Sequence, residues 1–462
     1  MEINHHVLKH SSFKGLVGVA QEDITPPPGI YSRNWGASEY DISDGIHQPL
    51  KLTCISFQQE DKKKPLLLIG ADLGWWKNSE DEWALRSKLL EACSLDPSQL
   101  MFCLSHTHAG PGICSDDASK TGGHLISGYL DLVIERSISA INESLALSKK
   151  AVLTWHYGKC DLATNRDLPQ PETNRMVVGF NPGKTADDTL LVGRITDSYD
   201  QIFATIVNYA CHPTTLAWEN RLISPDYIGP MREMVEHQTN APCLFLQGAS
   251  GDLAPAEQYV GFTELTEKYG RRLGYAVLAT LEAMLPPGRQ LSFSKVVESG
   301  APLAVWVKTA YQPDVTLLGQ RSEVQLSLKP LPSLSTIQDQ WAQCNDRVMK
   351  ERLWRQRGVR KAVGDGDFAG IGLWIWQLGD SFIIGQPNEA YSQLQLELRR
   401  DMAPYAVGVI NVANGHIGYL APEELYDKDI YSVWQTPFAS GSLELLIKEV
   451  KELAKEMMKT ES

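Results

Sequence analysis

No cysteine pair in this chain has CxxC spacing. The eight cysteines, Cys54, Cys93, Cys103, Cys114, Cys160, Cys211, Cys243 and Cys344, are scattered through apolar segments. That pattern excludes a zinc ribbon and a disulfide framework, and reads as free thiols in a reducing compartment. Positive charge is also scarce. Forty-three Lys and Arg face 56 Asp and Glu, for a net charge of −13. Nucleic acid is therefore excluded as the main partner, because phosphate binding wants a basic face. No apolar run approaches the roughly 20 residues of a membrane span. Met1–His10 has neither the apolar stretch nor the cleavage pattern of a secretory leader. The expectation is a soluble, cytoplasmic chain, with the proviso that a leader already removed would leave no trace. Internal repeats and low-complexity tracts are absent as well.

What is present is an alternation of short apolar runs and longer helical patterns. Strands are predicted at Leu50–Phe57, Pro65–Ala71, Leu100–Leu104, Ala151–His156, Gln201–Tyr209, Pro242–Gln247, Gly372–Leu378, Ser381–Gly385 and Ala406–Val412. Helices are predicted at Ser79–Ala92, Leu125–Leu147, Tyr227–Thr239, Phe262–Met284, Ser335–Arg357, Asn388–Arg400 and Ser442–Met458. The interleaving implies an α/β (mixed α+β) fold, with a central mixed sheet layered by helices. Pro286-Pro-Gly288 is the best internal punctuation, and Ser292–Gln338 reads as a strand meander. A single domain over 1–462 is expected, with any subdivision near 286–370.

Chemistry concentrates where predicted strands end. The run Leu104-Ser-His-Thr-His-Ala-Gly-Pro-Gly112 places His106 and His108 at a strand exit. Residues two apart in extended backbone point the same way, so both imidazoles would serve one site. A turn pair making ordinary hydrogen bonds is the alternative. His212, in Cys211-His-Pro-Thr-Thr215, also follows an apolar strand and reads equally as a ligand or a structural polar group. Leu244–Pro255 is a strand followed by a glycine-laced loop carrying Asp252. Glu389 follows Ile383-Ile-Gly-Gln-Pro-Asn388 and is expected to open a helix, where pairing with the helix dipole would by itself explain it. Asn411–Pro422 contributes His416 and Tyr419, with Tyr431 shortly after. Loop tyrosines are commonly packing residues. Taken together, two imidazoles and a carboxylate at strand ends form the ligand set of a catalytic zinc that keeps one position open. The imidazole-rich set favours zinc over manganese or iron.

The order of motifs carries a family resemblance. Asp23-Ile-Thr-Pro-Pro27, His106-Thr-His-Ala-Gly-Pro111, Asn165-Arg166, His212-Pro-Thr214, Gln247-Gly-Ala-Ser-Gly-Asp252 and Asn414-Gly-His-Ile-Gly-Tyr419 together resemble the N-terminal catalytic domain of the neutral/alkaline, non-lysosomal ceramidases. The likeness runs from about Gly15 to Tyr431 and is weak over Ser292–Gly370. It implies a zinc held by His106, His212, Glu389 and Tyr419. It implies that His108 and Arg166 contact the substrate amide and its tetrahedral intermediate, with Tyr431 assisting. The implied reaction is hydrolysis of an N-acyl amide, small or lipid-like, by metal-activated water.

Two departures accompany the likeness. Ala254 stands where the family's Gly-Asp-Val-Ser-Pro stretch has serine, so acyl-serine chemistry at that position is impossible here. The family's C-terminal immunoglobulin-like domain is not expected, which argues against ceramide itself. An N-acyl amide with a polar amine side, such as an acylated amino alcohol or an acylated sugar, is expected instead, and an ester of similar shape would suit the same machinery. Two other readings stand beside this one. An amidohydrolase barrel also uses His-x-His, but on its first strand, and several strands precede His106. A scaffold that has lost catalysis and binds lipid or glycan is favoured by Ala254 and opposed by the four retained ligand candidates.

Overall fold

Strands with every residue buried need cover on both faces, and this chain supplies it with a second sheet and flanking helices. The computed structural model describes residues 6–61, 64–173 and 175–459. Met1–His5, part of the segment read for a leader, lie outside the described residues. The large sheet has eight strands, in the order Cys243–Gln247, Ile202–Tyr209, Thr189–Asp197, Lys149–Lys159, Ser12–Asp23, Lys51–Gln58, Leu66–Ala71 and Leu100–Leu104. Its two edge pairs are parallel and its interior is antiparallel. A four-stranded sheet follows the order Leu317–Ser327, Phe368–Leu378, Ser381–Gly385, Ala406–Ile410.

The period of two shows how the layers stack. Leu67, Ile69, Leu100, Phe102 and Leu104 pack outward with helix Ile126–Ala146. Leu66, Leu68, Met101 and Cys103 point inward, onto Trp374, Trp376 and Ile383 of the small sheet. The small sheet's other face packs Ile371, Leu373 and Ile384 with Leu443, Leu446 and Val450 of helix Ser442–Lys459. Helices Ile228–Thr239 and Glu264–Glu282 cover Leu190, Val192 and Val207. The result is helix, sheet, sheet, helix: a mixed α/β architecture, as the interleaved elements implied. All eight cysteines are unpaired. No helix among the described residues is long and apolar enough to cross a membrane.

The strand Ser12–Asp23 escaped sequence reading because its glycines and charges hide the apolar period. The glycines have a packing reason. A Cβ on Gly18 would sit 1.7 Å from the Ser144 carbonyl oxygen of the overlying helix. Gly18→Ala should therefore push helix and sheet apart, at a cost of about 1–3 kcal/mol. A urea midpoint lowered with unchanged slope checks this; an unchanged midpoint refutes it.

Two predicted helices are corrected. The pattern over Ser335–Arg357 divides into Leu334–Gln343 and Arg347–Val363. Asp346 breaks it, its side chain accepting from the Met349 backbone N–H as a helix N-cap. Glu389 does not open a helix. Glu389–Ala390 is a short strand parallel to Tyr419–Leu420, and the helix begins only at Gln393.

Candidate metal centre and cavity

The carboxyl ends of four strands meet at one rim, the place where layered α/β proteins put their sites. Strand Leu100–Leu104 delivers His106, strand Ile202–Tyr209 delivers His212, and strand Ser381–Gly385 leads to Glu389. Strand Ala406–Ile410 leads to the Asn414–Tyr419 segment. Asn414 ties that segment to the first strand, accepting from Phe102 N at 2.8 Å and donating to Leu100 O at 2.8 Å. The two histidine loops are joined by Thr107, whose hydroxyl donates to Ser224 O at 2.7 Å.

His106 and His108 share the site by a route other than strand alternation. His106 has φ +67°, a left-handed conformation that a non-glycine residue adopts at a cost. Its backbone N–H donates to Leu73 O at 2.9 Å, which holds the turn. The two rings end 5.0 Å apart. His212 completes a triangle, 5.0 Å from His106 and 6.1 Å from His108. Ligand nitrogens of these three histidines all lie within 4.8 Å of one another.

The ring orientations are fixed from behind. His106 Nδ1 bonds Gly74 O at 3.1 Å, and His212 Nδ1 bonds Ser250 O at 2.7 Å. A carbonyl can only accept, so both Nδ1 atoms carry hydrogen and both Nε2 atoms present lone pairs inward. Those lone pairs face Glu389 Oε2, at 3.3 Å from His106 and 2.9 Å from His212. Burial alone would raise the Glu389 carboxyl. The three imidazoles packed around it, His106 first and then His212 and His416, instead hold it well below the usual carboxylate range. His212 is pushed down to about 4, by burial first and then by the Arg166 charge. With each Nδ1 hydrogen committed to a carbonyl, two imidazole Nε2 atoms and a carboxylate oxygen converge on one point. Imidazole nitrogen with carboxylate oxygen is a donor set zinc accepts.

Glu389 Oε1 accepts from His416 Nε2 at 2.9 Å. Tyr419 stands in register with Glu389 across the short parallel pair. Its hydroxyl accepts from Arg166 Nη2 at 3.0 Å, while Arg166 also donates through Nε and Nη2 to Gly251 O at 3.0 and 2.8 Å. Burial, then the Glu389 charge, pushes the Tyr419 phenol well above its usual range. Both ring nitrogens of His108 are buried without a hydrogen-bond partner. Burial, then His106 and His212, pushes this imidazole well below its ordinary range. The Tyr431 hydroxyl accepts from Arg355 Nη1 at 3.3 Å, and its ring packs edge-on to Tyr419 at 5.7 Å.

His106, His108, Arg166, Glu389, His416, Tyr419 and Tyr431 line a cavity of about 270 Å³, which the fully buried His212 does not reach. Its walls are mostly apolar, with Trp35, Trp75, Trp76, Tyr259, Val348 and Val359 prominent. Helix Arg347–Val363 closes the top and presents Glu351, Arg352 and Arg355 as well. None of the tryptophans or roof residues was read as a site residue, and the roof lies in the segment where the family likeness is weakest. Asp252 turns out to be structural, its carboxylate accepting from Ser392 N and Oγ at 2.8 Å each. Ala254 is fully buried in a short strand opposite Thr164 and does not line the cavity.

No protein-family model matches the chain, and no curated protein matches it. Solved structures do. A ceramidase described as complexed with C2 aligns over 95% of this chain and 74% of its own, with a TM-score of 0.65 and 14% identity. Neutral ceramidase from Pseudomonas aeruginosa aligns over 96% of this chain and 74% of its own, with a TM-score of 0.64 and 14% identity. The chain is built on the neutral ceramidase fold.

Proposed function

We propose that this protein is a zinc-dependent hydrolase that cleaves the amide bond of an N-acylated substrate. The residues proposed to hold the metal are His106, His212, Glu389 and Tyr419. One observation carries the reading: the Nε2 atoms of His106 and His212, each tied back through Nδ1, both approach one oxygen of the buried Glu389 carboxyl. A bound zinc supplies Lewis acidity and water acidified from about 16 toward about 7.

The chain's own groups account for the remaining work. His108 is neutral and its nitrogens lack protein partners, so it is free to accept a proton and return it to the leaving nitrogen. Arg166 is anchored on Gly251 O and offers a fixed positive charge where the carbonyl oxygen gains negative charge. Tyr431, accepting from Arg355, keeps its own O–H to donate. In the net reaction the C–N bond breaks, water's oxygen joins the acyl carbon, and the amine leaves protonated. The apolar walls suit an acyl chain, consistent with the fold likeness to ceramidases.

Ala254 lends no support to a scaffold that has lost catalysis, since the position is fully buried and does not line the cavity. The test is direct. Chelator-treated protein should lose turnover of N-acyl chromogenic amides and regain it with stoichiometric zinc. Full turnover by protein shown to be metal-free by elemental analysis would overturn the reading.

A further inference from the structure

Lys77, Arg352 and Arg355 line the cavity, and the hydrolytic reading uses only Arg355, through its bond to Tyr431. Lys77 lines the cavity with its side chain 4% exposed, and its ammonium has no hydrogen-bond partner. The nearest carboxylate, Asp117, is 3.9 Å away and is already engaged by Lys120 at 2.8 Å. Glu351 is engaged by Arg355 at 3.3 Å. Arg352 also lines the cavity and makes no ion pair among the described residues; its guanidinium lies over the Trp434 ring at 5.3 Å. Arg355 donates to Asn34 O at 2.6 Å and to the Tyr431 hydroxyl at 3.3 Å, which leaves guanidinium hydrogens free. A buried ammonium held by one long ion pair and no hydrogen bond is costly, and an anionic ligand would supply the acceptors it lacks.

The position of these cations sets the scale of the ligand. The Trp75 ring lies 4.7 Å from the His108 ring, 5.2 Å from the Arg355 guanidinium and 5.5 Å from the Lys77 ammonium. One indole is therefore shared by Lys77, Arg355 and the imidazole assigned to the reacting bond. We propose that the substrate is an anionic N-acyl amide, its negative group a few bonds from the scissile carbonyl and seated among Lys77, Arg352 and Arg355. An N-acyl amino acid is the simplest such molecule. A carboxylate and a phosphate monoester share the needed chemistry. The proposal rests on the hydrolytic reading for the position of the reacting bond, but its charge preference is measurable without turnover.

Tryptophan fluorescence titration in the presence of chelator provides that measurement, because Trp35, Trp75 and Trp76 line the cavity. Three probes with one acyl chain are compared: N-octanoylglycine, N-octanoyl-phosphoethanolamine and neutral N-octanoylethanolamine. At least one anionic probe should bind about tenfold or more tightly than the neutral one, and the tighter anion identifies the head group. Lys77→Met and Arg352→Gln should each shrink that ratio toward one. Thermal unfolding separates binding from scaffolding. Arg352→Gln should leave Tm unchanged, because its guanidinium makes no ion pair among the described residues, whereas Lys77→Met should keep a cooperative transition at a lower Tm, because it unpairs Asp117. A ratio near one in the wild type, a ratio untouched by both variants, or no binding of any probe overturns the proposal. Zinc-restored hydrolysis of all three probes without charge preference would sink this proposal alone. Anion-selective binding with no hydrolysis of any probe would sink the hydrolytic reading alone.

Discussion

His212→Ala should yield a folded protein that holds no metal and turns over no amide. The imidazole is completely buried and bonded from behind to Ser250 O, so its Nε2 cannot be replaced by a neighbouring side chain. Loss of an outer hydrogen-bond partner alone typically costs about 10–100-fold in metal affinity. Loss of the ligand itself should exceed that, enough to empty the site during purification. The fold should survive, because truncating one buried side chain costs about 1–3 kcal/mol, and the surrounding strands are paired independently of it. Elemental analysis beside circular dichroism checks both halves. Zinc at full occupancy in this variant would remove His212 from the ligand set.

How much of this was legible in the sequence depends on the kind of signal. Strands Leu100–Leu104 and Ser381–Gly385 were readable to the residue, because they are short, continuously apolar and bounded by Gly, Pro or charge. Strand Ser12–Asp23 was not, because close helix packing demands glycine where a strand pattern wants a branched side chain. The order of histidine motifs identified the rim of the site. It left open how the pieces meet. The left-handed turn at His106 and the register of Glu389 against Tyr419 are properties of long-range backbone pairing that no local period encodes. Helix Arg347–Val363 was legible as a helix but not as a roof. Its cavity face mixes Val348, Glu351, Arg352 and Arg355, which on sequence alone reads as an ordinary solvated surface.

Glu389→Gln and His108→Ala should separate two ligand sets that the geometry places side by side. His106, His108 and His212 bring their nitrogens within 4.8 Å of one another, so an all-histidine site is sterically available. The charge distribution argues for the other set. Glu389 is the only carboxylate facing His106 and His212 among the described residues, and both ligand nitrogens approach the same oxygen, Oε2. Glutamine in its place keeps the volume and removes the negative charge that offsets a divalent ion. It also turns an acceptor facing His416 into a group that can present a donor to it. Glu389→Gln should therefore lose most of its zinc and reduce turnover to background. His108→Ala should keep its zinc and lose about 10²–10³ in rate, the usual effect of deleting one preorganised polar group at the reacting centre. Zinc content and rate thus move together in the first variant and apart in the second. The reverse outcome, zinc lost with His108 and kept with glutamine at 389, would relocate the ion to the three histidines. It would also return Glu389 to the role of a proton acceptor.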